Sequence, residues 1–370
     1  MLNKTTRSTK NPLKLTIPLC ISLLLGYAVP TLSIADDDAE TAQETPDKSK
    51  GNSGNSNNAN KNKQLDDSEN EKPKSPNAQS EGAGSKPICS KTAQNLFNAC
   101  QHTATANKWL GASLCLTVSD PIERHACNKS YMAVWAEAKK GCKNERSYRR
   151  DSCDVLGESR YQGWAGVDFM VDAESPITGN TYFPLAAETR VLASDTTTIN
   201  REVTNTIRAV DGVDCKVVIE EERDTNSNVL IERRELLYAQ DISNNVWACG
   251  ALYQHYEVLD EGQPAVVVGT EGSWQSGSNG ALAGLVMPAG EPAYGTVFRR
   301  NYAPGVQEVT AEVIDPASIE TGIACEANCS ILRATSAALP AGYYDEYYTG
   351  GTGFVFGENQ DGEEVIQQAP

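Results

Sequence analysis

Residues 89–153 read CSKTAQNLFNACQHTATANKWLGASLCLTVSDPIERHACNKSYMAVWAEAKKGCKNERSYRRDSC and carry six cysteines. The steps between successive cysteines are 11, 15, 12, 15 and 11 residues, which read the same in both directions. At about 100° per residue, steps of 11 and 15 residues return a side chain to nearly the same side of a helix. The first three cysteines are therefore expected on one helix face and the last three on a facing helix.

A loop between the two cysteine triplets marks the end of one helix and the start of another. Ser119 or Asp120 can cap the second helix, Pro121 suits its first turn, and Glu123 favours its positive end. Antiparallel helices of equal rise face each other wherever the residue numbers add to a constant, and three cysteine pairs add to 242. The sequence therefore predicts a helical hairpin over 88–157 with nested bonds Cys89–Cys153, Cys100–Cys142 and Cys115–Cys127.

The predicted bonds require the two helices to lie close together. Packed helices are usually about 8–10 Å apart, whereas a disulfide joins Cα atoms less than about 7 Å apart. Small residues beside the cysteines are expected to allow this approach, namely Ala99, Ala126, Gly141 and Ser152. The nested bonds would then stabilise a two-helix unit that buries little apolar surface by itself.

The first 35 residues have the layout of a secretory signal peptide. Four basic residues precede an apolar run over residues 15–29, and Ser33 and Ala35 stand at the spacing that a signal peptidase recognises. The apolar run is shorter than the roughly 20 residues that a membrane span needs. We expect cleavage after Ala35 and a mature protein that is secreted or periplasmic, without a membrane span.

Ten of the 11 cysteines remain once the predicted signal peptide, 1–35, is removed. An even, high number of cysteines in an exported protein predicts disulfides, and the lack of C-x-x-C spacing argues against zinc and thioredoxin-type chemistry. Outside the hairpin, Cys325 and Cys329 are expected to pair in a turn, which leaves Cys215 with Cys249. Strands that flank a common neighbour would hold the last two about 9–10 Å apart, too far for a bond.

The charge of the chain is divided unevenly among its segments. Residues 36–86 hold 7 lysines, 11 acidic residues and a single large aliphatic residue, and are expected to form a disordered acidic and polar tether. The Cys-rich segment 87–160 carries 11 basic and 7 acidic residues, whereas segment 161–370 carries 10 and 31. So acidic a domain repels phosphates, and nucleic acid is not an expected partner.

Segment 161–370 has the pattern of an antiparallel β domain. Runs rich in Val, Ile, Tyr and Thr alternate with turns rich in Asn, Asp and Gly, as at 211–212, 224–228 and 242–245. The expected fold class is α+β. A disulfide-stapled antiparallel helical hairpin is followed by a mainly antiparallel β domain, built as a sandwich or as a curved sheet or half-barrel.

Seven motifs follow one another through the acidic β segment. They are YFPL at 182–185, DGVDCKVV at 211–218, LYAQDISNNVW at 237–247, EGSW at 271–274, VMPAGEP at 286–292, RRNYAPG at 299–305 and YYTGGTGFVFGE at 347–358. This order resembles a family of exported bacterial proteins in which a Cys-rich helical segment precedes such a β domain. The resemblance implies an architecture and no activity. The chain departs from it at Cys249, where the family has an aromatic residue, and at the additional Cys325.

The second helix of the hairpin is expected to carry a basic stripe. Lys139, Lys143, Arg146 and Arg150 recur at i, i+4, i+7 and i+11 and so share one helix face. One interpretation is a solvated face. The other is a docking surface for an unknown acidic or cell-surface partner, or for the protein's own β domain.

One pattern in the β domain suggests calcium. Oxygen side chains at Asp224, Asn226, Asn228 and Glu235 match positions 1, 3, 5 and 12 of a calcium-binding loop. Val229 stands where that loop needs glycine, and the flanks have the pattern of strands rather than helices. A hairpin turn is therefore the competing interpretation.

Candidates for ligand contact and catalysis come from the motif-bearing loops. Glu271 and Trp274 lie in the Gly-rich run 269–295, a candidate binding loop for which a structural turn is the alternative. Asp241 and Glu271 are candidate paired carboxylates for glycoside hydrolysis. No G-x-S-x-G motif occurs, and His255 alternates like an ordinary strand residue.

The sequence favours an exported, non-catalytic module that binds a ligand or partner, with no cofactor other than calcium under consideration. Two alternatives stay open: a hydrolase that acts on an extracellular polymer through paired carboxylates, and a calcium-dependent structural surface protein. Catalysis would need a deep pocket with two converging carboxylates. A binding module would instead show an apolar cleft or an exposed edge strand.

Overall fold

The computed structural model describes residues 87–170, 179–259, 262–290, 292–316, 329–337, 342–360 and 365–368. These residues belong to one compact unit, Lys72–Pro370, and contain two helices and fourteen strands. The predicted signal peptide and tether, and Cys325 of the predicted Cys325–Cys329 bond, lie outside the described residues.

Two antiparallel helices, α1 (Ile88–Cys115) and α2 (Pro121–Leu156), form the predicted hairpin. The side chain of Asp120 caps α2 by accepting hydrogen bonds from the amides of Ile122 and Glu123 at 2.8 and 2.9 Å. All three nested bonds are confirmed, and they join Cα atoms 5.7 to 5.8 Å apart: Cys89–Cys153, Cys100–Cys142 and Cys115–Cys127. Within the described ranges, neither helix is apolar enough over its length to cross a membrane.

Most of the small residues predicted to allow the close approach of the helices do not lie in their contact. Of the four predicted residues only Ser152 is buried, because Ala99 and Ala126 are exposed and nothing lies within 4 Å of a Cβ built on Gly141. A residue next to a cysteine is displaced by about 100° around the helix, so most such residues point away from the facing helix. The buried small residues of α1 are instead Ala93, Ala104 and Gly111.

Fourteen strands follow the hairpin. They are β1 (Glu188–Ala193), β2 (Thr197–Val210), β3 (Val213–Asp224), β4 (Leu230–Gln240), β5 (Val246–Glu257), β6 (Val266–Gly269), β7 (Trp274–Gln275), β8 (Gly284–Met287), β9 (Val297–Ala303), β10 (Gln307–Ile314), β11 (Cys329–Ser336), β12 (Tyr343–Thr349), β13 (Gly353–Asn359) and β14 (Val365–Gln368). Their order across the sheet is β6-β5-β4-β3-β2-β1-β14-β13-β12-β11-β10-β9, with β7 and β8 added along β5.

The sheet is antiparallel and curves round one interior. Inward side chains from strands that are far apart in the order, such as Val203, Leu332 and Tyr348, belong to one buried cluster. Leu282, just before β8, pairs with Tyr302 in β9, so the two ends of the sheet approach each other. The predicted α+β class is confirmed, and the sheet takes the curved form.

Cys215 in β3 and Cys249 in β5 are bonded, as predicted, although β4 lies between their strands. The expectation that strands flanking a common neighbour hold two cysteines too far apart was wrong. The register between β4 and β5 shifts at this point and leaves Cys249 as the extra residue of a bulge. Because a bulge bends and twists its strand, the two Cα atoms lie only 6.5 Å apart.

Arginine and glutamate side chains form ion pairs in the sheet, in which Glu220 is buried and the other members are half-buried. Glu220 of β3 pairs with Arg201 of β2, and Nε of Arg234 in β4 lies 3.4 Å from the same carboxylate. Arg300 of β9 pairs with Glu346 of β12 at 2.5 Å. Burial alone raises the pKa of Glu220, but Arg234 and Arg201 outweigh burial and hold it below its usual value.

The base of the hairpin is docked on β10 and β11. The hydroxyl of Tyr148 donates to the carbonyl oxygen of Thr335 at 2.8 Å and accepts from the amide of Thr310 at 3.2 Å. Arg149 and Glu308, both buried, form an ion pair beside it. These contacts lie near the C-terminal end of α2, so the helices extend from the docked base toward the loop that joins them.

Candidate functional site

β6 is the outermost strand at one side of the sheet. It pairs with residues 255–257 at the end of β5, and no strand in the described part of the chain pairs with its other edge. The side chains of Val266, Val267 and Val268 are 42%, 47% and 46% exposed. β6 therefore presents an unpaired backbone edge together with three exposed β-branched side chains.

Local sequence explains why this segment is a short strand. β6 consists of three consecutive valines, a residue type that favours the extended conformation, and ends with Gly269, while Pro264 lies two residues before it. The register between β5 and β6 shifts in the middle of their pairing, which increases the local twist. Val258 and Leu259, both exposed, follow directly after β5 and extend the apolar surface of this edge.

The turn that follows β6 is fixed to β5. The hydroxyl of Ser273 donates to the carbonyl oxygen of Thr270 at 2.7 Å and accepts from the amide of Tyr253 at 2.9 Å. Gly272 has a φ of 87°, a left-handed conformation that glycine adopts without penalty. Glu271, in the same turn, is exposed and stands beside the free edge.

His255 ties this turn to the interior of the sheet. Its Nε2 lies 2.9 Å from the carbonyl oxygen of Glu271, which can only accept, so Nε2 carries a proton. Its Nδ1 lies 2.9 Å from the carboxylate of Glu232 in β4. This second contact also needs a proton, held by the imidazole or by the carboxylate. Burial raises the pKa of Glu232, and a raised carboxyl pKa favours the presence of a proton in this Glu232–His255 contact.

The predicted binding loop around Glu271 and Trp274 lies only partly at the surface. Glu271 is exposed, but Trp274 is only 6% exposed and belongs to the main core cluster. The indole Nε1 donates to Oε1 of Gln307 at 2.6 Å. For Trp274 the structure agrees with the structural-turn interpretation, because β7 places its ring in the interior.

Asp241 and Glu271 do not form a carboxylate pair. Asp241 is buried and accepts from the amide of Asn245 and from the indole of Trp247, so it holds the turn between β4 and β5. Glu271 adjoins His255, which lies eight residues along β5 from Trp247, or about 27 Å in an extended strand. Glycosidase carboxylates lie about 5–10 Å apart, so the structure gives this pair no hydrolytic geometry.

The predicted calcium loop is a hairpin turn between β3 and β4. Oδ1 of Asp224 accepts from the amides of Asn226 and Ser227 at 3.1 and 2.7 Å, and Asn228 has a φ of 57°. Glu235 forms ion pairs with two arginines of the sheet. Among the described residues, no group of three His, Cys, Asp or Glu side chains is arranged to hold a metal ion.

The basic stripe of α2 does not dock on the protein's own β domain. The contacts with the sheet come from Tyr148 and Arg149. Tyr148 lies two residues, or about 200° around the helix, from both Arg146 and Arg150 of the stripe. Lys143 is exposed. The stripe therefore lies beside the docked side of α2, with Arg149 about 60° around the helix from Arg146.

A small cavity lies where the hairpin meets the sheet. The Cys89–Cys153 bond, Arg149, Arg299 and Glu308 are among its lining residues. Its volume is about 20 Å³, which is room for about one water molecule. A cavity of this size is too small for an organic ligand.

Comparisons with other proteins do not identify the function. No family model, no curated protein and no solved structure matches the chain. Two surfaces therefore carry the functional interpretation: the free edge of β6 with Glu271, and the side of the hairpin that bears the basic stripe.

Proposed function

We propose that the protein is an exported, non-catalytic binding module whose β6 edge accepts an extended segment of a partner protein. The observation that carries this proposal is the edge of β6, with which no described strand pairs, together with its three exposed valines. Such an edge is a template to which another extended chain adds by main-chain hydrogen bonds. Proteins often protect free edges with charged side chains, which Val266, Val267 and Val268 do not supply.

The charge around the edge defines the partner segment. Glu257 ends β5 and Glu271 follows β6, within a segment that carries 31 acidic and 10 basic residues. Lysine and arginine side chains are attracted to this surface, whereas acidic ones are repelled. The partner segment that fits is therefore extended and basic, with β-branched residues that pack against the valines.

The disulfides support an extracytoplasmic location. Four of them lie among the described residues, and bonds of this kind persist in oxidising compartments. The signal-like residues 1–35 point to the same compartment, secreted or periplasmic. In this proposal residues 36–86 tether the module, and the basic stripe meets an acidic or cell-surface partner.

A peptide-display selection against the full-length, disulfide-bonded protein tests the β6 edge. Selected peptides are expected to alternate β-branched residues with lysine or arginine, and to slow hydrogen exchange of the amides of 266–269. Val267→Lys is expected to weaken their binding at least tenfold, because it places a positive charge on the edge, and this charge repels the lysine or arginine of the peptide. The matched control is Val191→Lys, which places the same charge on β1 inside the sheet, where valine is 38% exposed. Peptides that bind both variants equally, or that protect other amides, would overturn the proposal.

A further inference from the structure

On one side of the hairpin, an exposed Trp109 of α1 lies near a half-buried Trp135 of α2, with lysine side chains over the rings. Nζ of Lys108 in α1 lies 5.0 Å from the ring centroid of Trp109 and 4.3 Å from that of Trp135 in α2. Nζ of Lys139, the first residue of the basic stripe, lies 4.8 Å from the Trp135 ring. Trp109 is 63% exposed. The two indole rings and the stripe therefore form one continuous surface across both helices.

This surface has the period of a helix-packing seam. We name it the aromatic–basic face, and its residues are Trp109 of α1 and, along α2, Met132, Trp135, Lys139, Lys143, Arg146 and Arg150. Successive members on α2 are three or four residues apart, so they form one row along the helix. Rows with such steps are the positions at which a second helix packs. The row is apolar toward the loop end of the hairpin and basic toward its base.

We infer that the aromatic–basic face binds an acidic amphipathic helix of a partner protein. The inference rests on the proposed role as a binding module and uses a surface other than β6. Apolar side chains of the partner pack on Trp109, Met132 and Trp135, and its Asp and Glu residues pair with the stripe. From Met132 to Arg150 the helix rises about 27 Å, so the partner helix spans about 18 residues. The three disulfides hold the face in place before binding, which lowers the entropic cost.

Charge and position argue against the other occupants of this face. The α2 side chains that bond to the protein's own sheet are Tyr148 and Arg149, neither of which belongs to this face. A second copy offers no acidic helix among the described residues, because α1 has no Asp or Glu and α2 has five of them against eight basic residues. The acidic sheet does not prevent an acidic helix from binding near the loop end. Lys139 lies ten residues, or about 15 Å, from Arg149 at the docked base, and physiological salt screens charge over about 8 Å.

A library of helix-forming peptides of about 20 residues, selected on the full-length disulfide-bonded protein, tests the inference. Binders are expected to carry Asp or Glu in steps of three and four beside an apolar cluster, and to bind more weakly as salt is raised. Lys143→Glu is expected to weaken binding at least tenfold. Lys140→Glu makes the same charge change on another side of α2, at a residue that pairs with exposed Glu137, and is expected to change binding less than twofold.

A second matched pair keeps the test decisive if one variant fails to fold. Trp109→Ala is expected to weaken binding, whereas Leu110→Ala, about 100° around α1, is not. Selected helices that bind all four variants equally would contradict the inference. So would a selection that yields no binders, or unstructured polyglutamate that competes with the helices for binding as well as they compete with one another. Val267→Lys is expected to keep helix binding while it loses the extended segment, so the two proposals fail separately.

Discussion

The ring of Tyr131 in α2 occupies the space in which a side chain on Gly111 of α1 would begin. The Tyr131 Cδ1 atom lies 2.0 Å from the position of a Cβ built on Gly111. Gly141, the other glycine within the helices, has nothing within 4 Å of the same position. The two glycines therefore differ in role: Gly111 permits the contact between the helices, whereas Gly141 only carries the helical penalty of glycine.

Alanine at these two positions is expected to have opposite effects. Gly111→Ala forces the Tyr131 ring to move and is expected to destabilise the hairpin by about 1–3 kcal/mol. Gly141→Ala is expected to stabilise it by about 0.5–1 kcal/mol, since alanine favours the helix. Thermal unfolding followed by the helical circular dichroism signal measures both. Equal shifts of Tm in the two variants would contradict the assigned role of Gly111.

Breaking the buried ion pair at the base is expected to undock the hairpin. Glu308→Gln removes one of the two carboxylates that pair with Arg149 and leaves Glu145 3.1 Å away. The expected cost is therefore about 1.5–3 kcal/mol, below the cost of about 3–5 kcal/mol for a buried charge left without any partner. Glu137→Gln, which breaks an exposed pair with Lys140, is expected to cost less than about 1 kcal/mol. Urea unfolding of both variants gives the difference. If the free energy of unfolding of Glu308→Gln equals that of the Glu137→Gln control, the docking of the hairpin does not depend on the Arg149–Glu308 pair.

The stability of the sheet is expected to fall in acid. Arg234 and Arg201 hold the pKa of Glu220 below its ordinary value of 4.5 despite burial. A carboxyl with a lowered pKa contributes stability above that ordinary value, and the contribution is lost as pH falls through the lower folded pKa. Glu220→Gln is therefore expected to be less stable than the wild type at pH 7, with the gap closing below pH 4.5. Urea unfolding at a series of pH values tests this, and a constant gap would refute it.

Mild reduction is expected to unfold the hairpin before the sheet. In each disulfide of the hairpin one of the two cysteines is partly accessible to solvent, namely Cys89, Cys100 or Cys127. Cys215 and Cys249, by contrast, are both fully buried. Reductant therefore reaches the hairpin first, and each lost bond removes about 3–4 kcal/mol in the chain-entropy model. Helical circular dichroism should decline while the Cys215–Cys249 bond persists in peptide maps. Release of those two thiols first would reverse the expected order.

The hairpin could be predicted almost completely because its rules are local. The constant sum of the cysteine numbers sets the register of two helices, and Asp120 with Pro121 marks the start of the second. The same rules do not identify which small residues lie in the contact. Gly141 adjoins a cysteine in sequence but points elsewhere, whereas Gly111 meets a ring twenty residues away in the chain.

The Cys215–Cys249 bond depends on geometry that the sequence does not display. The pairing follows from the number of remaining cysteines, but a regular sheet would forbid the distance. The bulge at Cys249 arises from the way β5 registers with β4, and nothing in the sequence of β5 alone marks it. The Cys215–Cys249 distance therefore depends on the pairing register of β4 and β5, which the sequence of either strand alone does not give.

The candidate site was predictable only in part for a similar reason. Glu271 stands out through its motif and does lie beside β6, yet Trp274 from the same motif is buried. The valines of 266–268 indicate a strand, but their position at the edge depends on the order of all the other strands. Whether a strand lies at the edge of the sheet, and whether a side chain points into the interior, depends on the arrangement of the whole sheet.

The chain enters and leaves the hairpin at one place, which determines how it responds to mechanical tension. The amides of Ile88 and Cys89 both donate to the carbonyl oxygen of Glu158, and the Cys89–Cys153 bond joins the helices there. A force that pulls the preceding chain away from the sheet is transmitted through that covalent bond. The helices beyond it bear no load, so Trp109 and the rest of the aromatic–basic face keep their arrangement while the protein is under strain.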